Sequence, residues 1–117
     1  MEAKGYVVIL EEDPLIRPLL ERWIGEAGYR IAPPVGAPNS RPALIMADIP
    51  DPQSAEELLS PLREYGAPIL VLSARFRRGL AGSAAAARQL GVKKVLPKPF
   101  TREELLAAVR ESIEGDA

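Results

Sequence analysis

Five polar residues stand where short apolar runs of the sequence end. Glu11 and Glu12 follow the first run, and Asp48, Ser73 and Lys98 follow three later runs. Carboxylates gathered in one place repel one another unless a proton or a cation lies between them, and their hard oxygen atoms suit Mg²⁺. A metal, an ammonium group and a hydroxyl can together neutralise and hydrogen-bond the oxygens of a phosphoryl group. If the fold brings these residues together, they therefore form a site for phosphoryl chemistry.

Each of these residues also has an ordinary structural explanation when it is taken alone. Asp48 could be a loop or capping residue, and Glu11 and Glu12 could simply favour the start of the helix that follows. Ser73 by itself is uninformative, and a lysine between two prolines, such as Lys98, is commonly a solvated turn residue. The functional interpretation depends on all of them occurring together, in this order and with complementary charge.

Composition limits the chemistry further. The 117 residues include no Cys and no His, which excludes disulfides, thiolate chemistry, a Ser-His-Asp triad and most transition-metal sites. The net charge of -1 does not favour nucleic acid as a partner. No apolar run approaches the ~20 residues of a membrane span. We therefore expect a cytoplasmic protein that contacts neither membrane nor nucleic acid, with a single domain over residues 1–117.

Strand and helix patterns alternate along the chain. Apolar runs predict strands over residues 6–10, 29–32, 43–47, 68–72 and 92–96. Helical spacing predicts helices over residues 13–28, 54–64 and 80–90 and from residue 101 onward. Asp13 is the predicted N-cap of the first helix, Ser54 and Thr101 are predicted to open capping boxes, and Pro61 is expected to kink its helix. This alternation predicts a parallel sheet flanked by helices, with the carboxyl ends of its strands around one crevice.

One unit breaks the alternation. Residues 33–42 include four prolines, which strongly disfavour a helix. Ten extended residues span roughly 33 Å, enough to return along a short strand and cross a neighbour. We therefore expect an irregular crossover in place of a helix.

These motifs resemble the response-regulator receiver domain of two-component signalling. The resemblance covers nearly the whole chain and lies in residues 9–17, 43–49, 68–75 and 91–100, where the step Lys98-Pro99-Phe100 is especially specific. It implies an α/β protein with a doubly wound, five-stranded parallel sheet in the flavodoxin-like order 2-1-3-4-5. The helix between strands 2 and 3 would be missing or replaced by the proline-rich loop.

The resemblance also implies roles for the acidic residues. Asp48 would accept a phosphoryl group from the phosphohistidine of a partner histidine kinase or phosphotransfer protein. Glu11, Glu12 and Asp48 would hold Mg²⁺, together with the Pro50 carbonyl. The family usually carries Asp-Asp or Glu-Asp where this chain has Glu11-Glu12, and a shifted register would make Glu12 and Asp13 the pair instead.

The remaining roles concern the switch. Ser73 would hydrogen-bond one phosphoryl oxygen and Lys98 would pair with another, with a cis peptide bond between Lys98 and Pro99. The resemblance implies a switch that signals by docking to an unknown downstream protein, with slow autodephosphorylation and no other enzyme activity; a homodimer is left open. Val95 stands where the family has an aromatic switch residue, so the usual coupling between that residue and Ser73 cannot operate.

A second hypothesis is a degenerate receiver that binds partners independently of phosphorylation. The Glu-Glu pair, Val95 and the altered loop after Asp48 motivate it. A related hypothesis is that Arg75, Arg77 and Arg78, in a stretch without acidic residues, bind an anionic ligand. The ordinary alternative for that stretch is a solvated basic face.

Overall fold

Five parallel strands form a sheet at the centre of the molecule. The computed structural model describes residues 5–32, 42–49, 54–73, 85 and 87–114. The strands are β1 (Tyr6–Leu10), β2 (Arg30–Ala32), β3 (Leu44–Asp48), β4 (Ile69–Ser73) and β5 (Lys94–Pro97). They lie in the order β2-β1-β3-β4-β5, and every neighbouring pair is parallel. The predicted α/β class and strand order are confirmed.

Helices cover both faces of the sheet. They are α1 (Ile16–Glu26), α2 (Ala55–Arg63) and α3 (Arg102–Glu114), and residues 87–90 add a helical turn before β5. Because side chains alternate across a strand, Val7 packs with α1 and α3 on one face, whereas Val8 packs with α2 on the other. The central strands β1, β3 and β4 are therefore buried on both sides, as expected for a parallel sheet between helices.

The helix starts agree with the sequence in one case out of three. The helix α1 begins at Ile16, and Leu15 at its N-cap position makes no side-chain capping hydrogen bond, so the N-cap predicted at Asp13 is wrong. Asp13 instead closes the turn that leads into the helix: its carbonyl accepts the N–H of Arg17 at 2.9 Å, and its Oδ1 accepts the N–H of Leu15 at 2.8 Å. Thr101 Oγ1 accepts the N–H of Glu104 at 3.0 Å, and Glu104 Oε1 accepts the N–H of Thr101 at 2.8 Å. This pair is the predicted capping box of α3.

The capping box predicted at Ser54 is wrong. Ser54 precedes α2 but makes no side-chain capping hydrogen bond. Its φ of −97° and ψ of 6° lie outside the extended region from which a serine hydroxyl reaches the N–H groups of the first turn. The helix nevertheless forms and continues through Pro61 to Arg63.

Two glycines follow helices. Gly28 and Gly66 follow α1 and α2 with φ of 102° and 70°, a conformation that side chains with a Cβ rarely adopt. The chain can thus leave each helix and turn toward the next strand.

Several predicted features lie outside the described residues. They include the proline-rich crossover, the Pro50 carbonyl, the cluster of Arg75, Arg77 and Arg78, and most of the helix predicted over residues 80–90. In the part of the chain that the structure describes, no helix is long and apolar enough to cross a membrane.

Replacing Thr101 by Ala removes the hydroxyl from the capping box and should lower the free energy of unfolding by about 1 kcal/mol. Thr101→Ser keeps the hydroxyl and should retain most of that stability. Urea denaturation of the three proteins measures both effects. Equal losses in the two variants would contradict a contribution from the hydroxyl.

Candidate functional site

The ammonium group of Lys98 bridges two carboxylates at the carboxyl edge of the sheet. Lys98 Nζ lies 2.8 Å from Glu11 Oε1 and 2.8 Å from Asp48 Oδ1. Glu11 directly follows β1, Asp48 ends β3, and Lys98 directly follows β5. The sheet therefore brings together three residues that are far apart in the sequence.

The backbone of Lys98 fixes its position against β4. Its N–H donates to the Ser73 carbonyl at 2.9 Å, which continues the pairing of β4 with β5 by one residue. Ser73 is fully buried at the end of β4, and the peptide bond between Lys98 and Pro99 is cis. The ends of β4 and β5 thus place Ser73 directly beside Lys98.

The three charged side chains differ in their exposure to solvent. The Glu11 side chain is 3% exposed, that of Lys98 15% and that of Asp48 25%. Asp48 is thus the member of the cluster that an incoming group can reach. Because Glu11 is almost fully buried, its charge depends on Lys98 for compensation.

The electrostatic environment favours the charged form of Lys98. Burial by itself would lower the pKa of its amine, but the hydrogen bonds that the ammonium donates to Asp48 and Glu11, and the negative charges of those carboxylates, raise it, so the net shift is upward from 10.5. Lys98 is therefore an ammonium ion throughout the physiological pH range.

The two neighbouring glutamates point to different places. Glu11 Oε1 binds Lys98, and Glu11 Oε2 accepts the N–H of Asp13 at 3.2 Å. Glu12 is exposed at the rim of the site. The side chain of Asp13 accepts the N–H of Leu15 in the turn before α1, so Glu11 is the acidic residue of this segment that enters the cluster.

A cleft of about 440 Å³ opens beside the cluster. Its polar part is lined by Glu11, Glu12, Asp48 and Arg17, and its apolar part includes Leu58 and Leu62 of α2. Within the described ranges, no group of three or more acidic side chains lies close enough to hold a metal ion together. The structure thus brings Glu11, Asp48 and Lys98 together and leaves Glu12 apart on the rim.

Arg17 belongs to the site and was not predicted to do so. Its Nη1 donates to the carbonyls of Ile9 at 2.9 Å and Glu11 at 3.3 Å, and its Nε donates to Glu21 at 3.0 Å. The available signal was an arginine in the first turn of the helix that follows the acidic pair.

Comparison with known proteins gives relatives in both sequence and structure. No protein-family model matches the sequence. The response regulator MprA of Mycobacterium sp. (strain KMS) is 31% identical over 114 residues, an alignment that covers 89% of this chain and 48% of that protein. The chain thus spans about half the length of the curated relatives it matches.

Two solved structures illustrate the similarity of the folds. The receiver domain of sensor histidine kinase PA1611 from Pseudomonas aeruginosa PAO1, which has a magnesium ion coordinated in its active-site cleft, aligns with a TM-score of 0.68 and is 24% identical. That alignment covers 97% of this chain and 100% of the other. A transiently phosphorylated switch in bacterial signal transduction aligns with a TM-score of 0.69 and 25% identity and covers 97% of each chain.

The strand order, the Lys98 cluster and these similarities define the class of protein. The chain is a receiver domain of the response-regulator type, related to the receivers of two-component signalling.

Lys98→Met should lower the free energy of unfolding near pH 7 by about 3 kcal/mol, because it leaves the buried Glu11 without a counter-charge. The contribution of Lys98 is present below 10.5, its usual pKa, and is lost as the pH rises through the higher value in the folded protein. The difference between wild type and variant should therefore shrink in alkali.

Lys94→Met is the matched control for this experiment. Lys94 Nζ lies 2.8 Å from Glu111 Oε1, the same distance as in the Lys98 pairs, but both side chains are more than a third exposed. Its loss should cost less than about 1 kcal/mol. Chemical denaturation at several pH values tests both variants. Equal losses of unfolding free energy would show that Lys98 contributes no more to stability than an exposed lysine does.

Proposed function

We propose that this receiver is a switch controlled by phosphorylation of Asp48. The observation that carries the proposal is the state of the Asp48 carboxylate. Oδ1 is held by Lys98, the side chain is a quarter exposed, and Oδ2 has no hydrogen-bond partner among the described residues. An anchored carboxylate with one available oxygen beside an open cleft suits a nucleophile that must meet a large donor.

The proposed donor is the phosphohistidine of a histidine kinase or phosphotransfer protein. Asp48 Oδ2 attacks the phosphorus atom, an O–P bond forms, and the P–N bond of the phosphohistidine breaks. The electron pair of the broken bond stays on the imidazole nitrogen, and Asp48 becomes an acyl phosphate. Lys98 remains beside the carboxylate and offsets the charge that accumulates on the phosphoryl oxygens.

The acidic residues fit a hard divalent cation. Mg²⁺ typically keeps several water molecules and uses only one or two protein carboxylates. Glu12 and Asp48 both line the cleft and would hold it, whereas both oxygens of Glu11 already have protein partners. When bound, the metal supplies positive charge to the oxygens of the transferring phosphoryl group.

Ser73 and Lys98 are the proposed sensors of the modified state. Ser73 lies buried at the end of β4, joined through its carbonyl to the Lys98 backbone. A phosphoryl group on Asp48 would accept hydrogen bonds from the Ser73 hydroxyl and the Lys98 ammonium. Val95 is buried in the core of the α2 face and has no polar atom, so the change is proposed to spread from the ends of β4 and β5 themselves.

A degenerate receiver that acts without phosphorylation is the second candidate. The observation in its favour is that Glu11 is fully satisfied by Lys98 and by the Asp13 N–H. Such a cluster could serve structure alone and present the surface of the domain to partners in one fixed state.

Incubation with Mg²⁺ and acetyl phosphate should add one phosphoryl group to the wild-type protein, measured by intact mass. Asp48→Asn keeps the shape of the side chain but removes the nucleophilic carboxylate, so it should gain none. Asp13→Asn is the control for acidic residues nearby and should behave like wild type. A wild-type protein that never gains an adduct, with this donor or with a phosphorylated kinase, would contradict the proposal and favour the degenerate receiver.

The surface that meets the donor protein is proposed to lie on the first turn of α1 and the two residues before it. Leu15, in helical conformation just before α1, and Leu19 are 79% and 44% exposed, and their spacing of four residues places them on one face; Pro14 and Pro18 beside them are also exposed. This apolar patch begins two residues beyond Glu12, at the edge of the site. Neighbouring exposed apolar side chains of this kind indicate a contact surface.

The double variant Leu15→Ser, Leu19→Ser should slow phosphotransfer from a phosphorylated histidine kinase by about tenfold or more, because two leucines no longer lose their contact with water on docking. Labelling by acetyl phosphate should be unchanged. Tyr65→Ser, which removes an exposed aromatic side chain after α2, is the control. Equal slowing with both donors would place the effect in the site and not in docking.

A further inference from the structure

Among the described residues, the pairing of β1 with β2 ends at Val8 and Ala32, whereas β1 continues to Leu10. The Gly5 carbonyl, on the β2 side of β1, accepts the N–H of Arg30. Beyond Val8, a backbone carbonyl on this side can accept a hydrogen bond from a side chain.

The alternation of the strand shows which carbonyls face this edge. The Gly5 carbonyl bonds toward β2, and the Tyr6 carbonyl bonds toward the residue before β3. Successive carbonyls point to opposite sides, so those of Ile9 and Glu11 point to the β2 side. These are the two carbonyls that Arg17 Nη1 contacts, at 2.9 and 3.3 Å.

We infer that Arg17 is a positioning residue of the phosphoacceptor site. By binding the carbonyls on both sides of Leu10, its guanidinium fixes the backbone at the point where the chain leaves the sheet. That backbone directs the Glu11 side chain inward to Lys98 and leaves Glu12 at the rim of the cleft. Arg17 acts through these residues, and its relevance to phosphotransfer rests on the proposed function.

Another arginine of α1 separates this role from an ordinary ion pair. Arg17 pairs with Glu21, and Arg22 pairs with Glu26, each through Nε to a carboxylate four residues on, at 3.0 and 3.2 Å. Arg22 is 73% exposed and makes no contact with β1 among the described residues, whereas Arg17 is 35% exposed and contacts two strand-end carbonyls. The difference between the two arginines is the carbonyl contact.

The test follows the side-chain ammonium signal of Lys98 by ¹⁵N NMR of the full chain. A lysine ammonium held by two carboxylates and shielded from solvent exchanges its protons slowly enough to be seen. Arg17→Met keeps the length of the side chain but has no donor, and the Lys98 signal should broaden or disappear while the amide spectrum remains that of a folded protein. Arg22→Met and Glu21→Gln should leave the signal unchanged, and Arg17→Lys should restore it in part.

A Mg²⁺ titration of the same samples gives an independent measurement. Loss of a residue that orients metal-binding groups typically weakens affinity by 10-fold or more, so we expect about a tenfold higher dissociation constant for Arg17→Met. Arg22→Met should bind Mg²⁺ like wild type. If Arg17→Met is folded and both its Lys98 signal and its Mg²⁺ affinity match wild type, the inference is wrong. If Arg17→Met does not fold, the test uses Arg17→Lys and Glu21→Gln. If both variants have the same Lys98 signal and the same Mg²⁺ affinity as wild type, the inference is also wrong.

The two proposals can fail separately. A wild-type protein that gains no phosphoryl group, with an Arg17→Met variant that loses the Lys98 signal, would remove the proposed function and keep the positioning role. A wild-type protein that is phosphorylated, with an Arg17→Met variant whose Lys98 signal and Mg²⁺ affinity are unchanged, would keep the proposed function and remove the positioning role.

Discussion

The ammonium group of Lys98 is the constraint on which the carboxyl edge of the sheet depends. Its hydrogen bonds to Glu11 and Asp48 join the ends of β1 and β3 to the end of β5. The backbone N–H of the same residue donates to the Ser73 carbonyl at the end of β4. Without this cation, two carboxylates would face each other in a partly buried space at a cost of several kcal/mol. The same contact therefore stabilises the edge of the sheet and holds the side chain of Asp48, the proposed phosphoacceptor, in place.

Much of the fold could be predicted because the strands are buried on both faces. Continuous apolar runs such as residues 6–10 cannot be solvated on either side, so they require helices above and below. The side-chain capping hydrogen bonds at Thr101 could be predicted because the backbone there has the usual capping conformation. The prediction failed at Ser54, because capping depends on φ and ψ values that residue types do not determine.

The site was predictable to the level of strand ends but not to the level of side-chain direction. Parallel strands place Asp48, Ser73 and Lys98 on one edge whatever the details of packing. Which of the two glutamates turns inward depends on the backbone after β1. The role of Arg17 depends on which backbone carbonyls at the end of β1 face its guanidinium, which residue types alone do not determine.

The different positions of the two glutamates, Glu11 in the cluster and Glu12 at the rim, have an electrostatic consequence. Glu11 and Asp48 share one ammonium, so the cluster keeps a net negative charge, and the exposed Glu12 adds to it. A negative cleft attracts cations but repels a phosphoryl group, which also carries negative charge at neutral pH. Lys98 alone cannot reverse this balance, because its charge is already divided between two partners. Phosphoryl transfer to Asp48 would therefore need additional positive charge in the cleft, and the carboxylate of Glu12, exposed at the rim, is placed to recruit it.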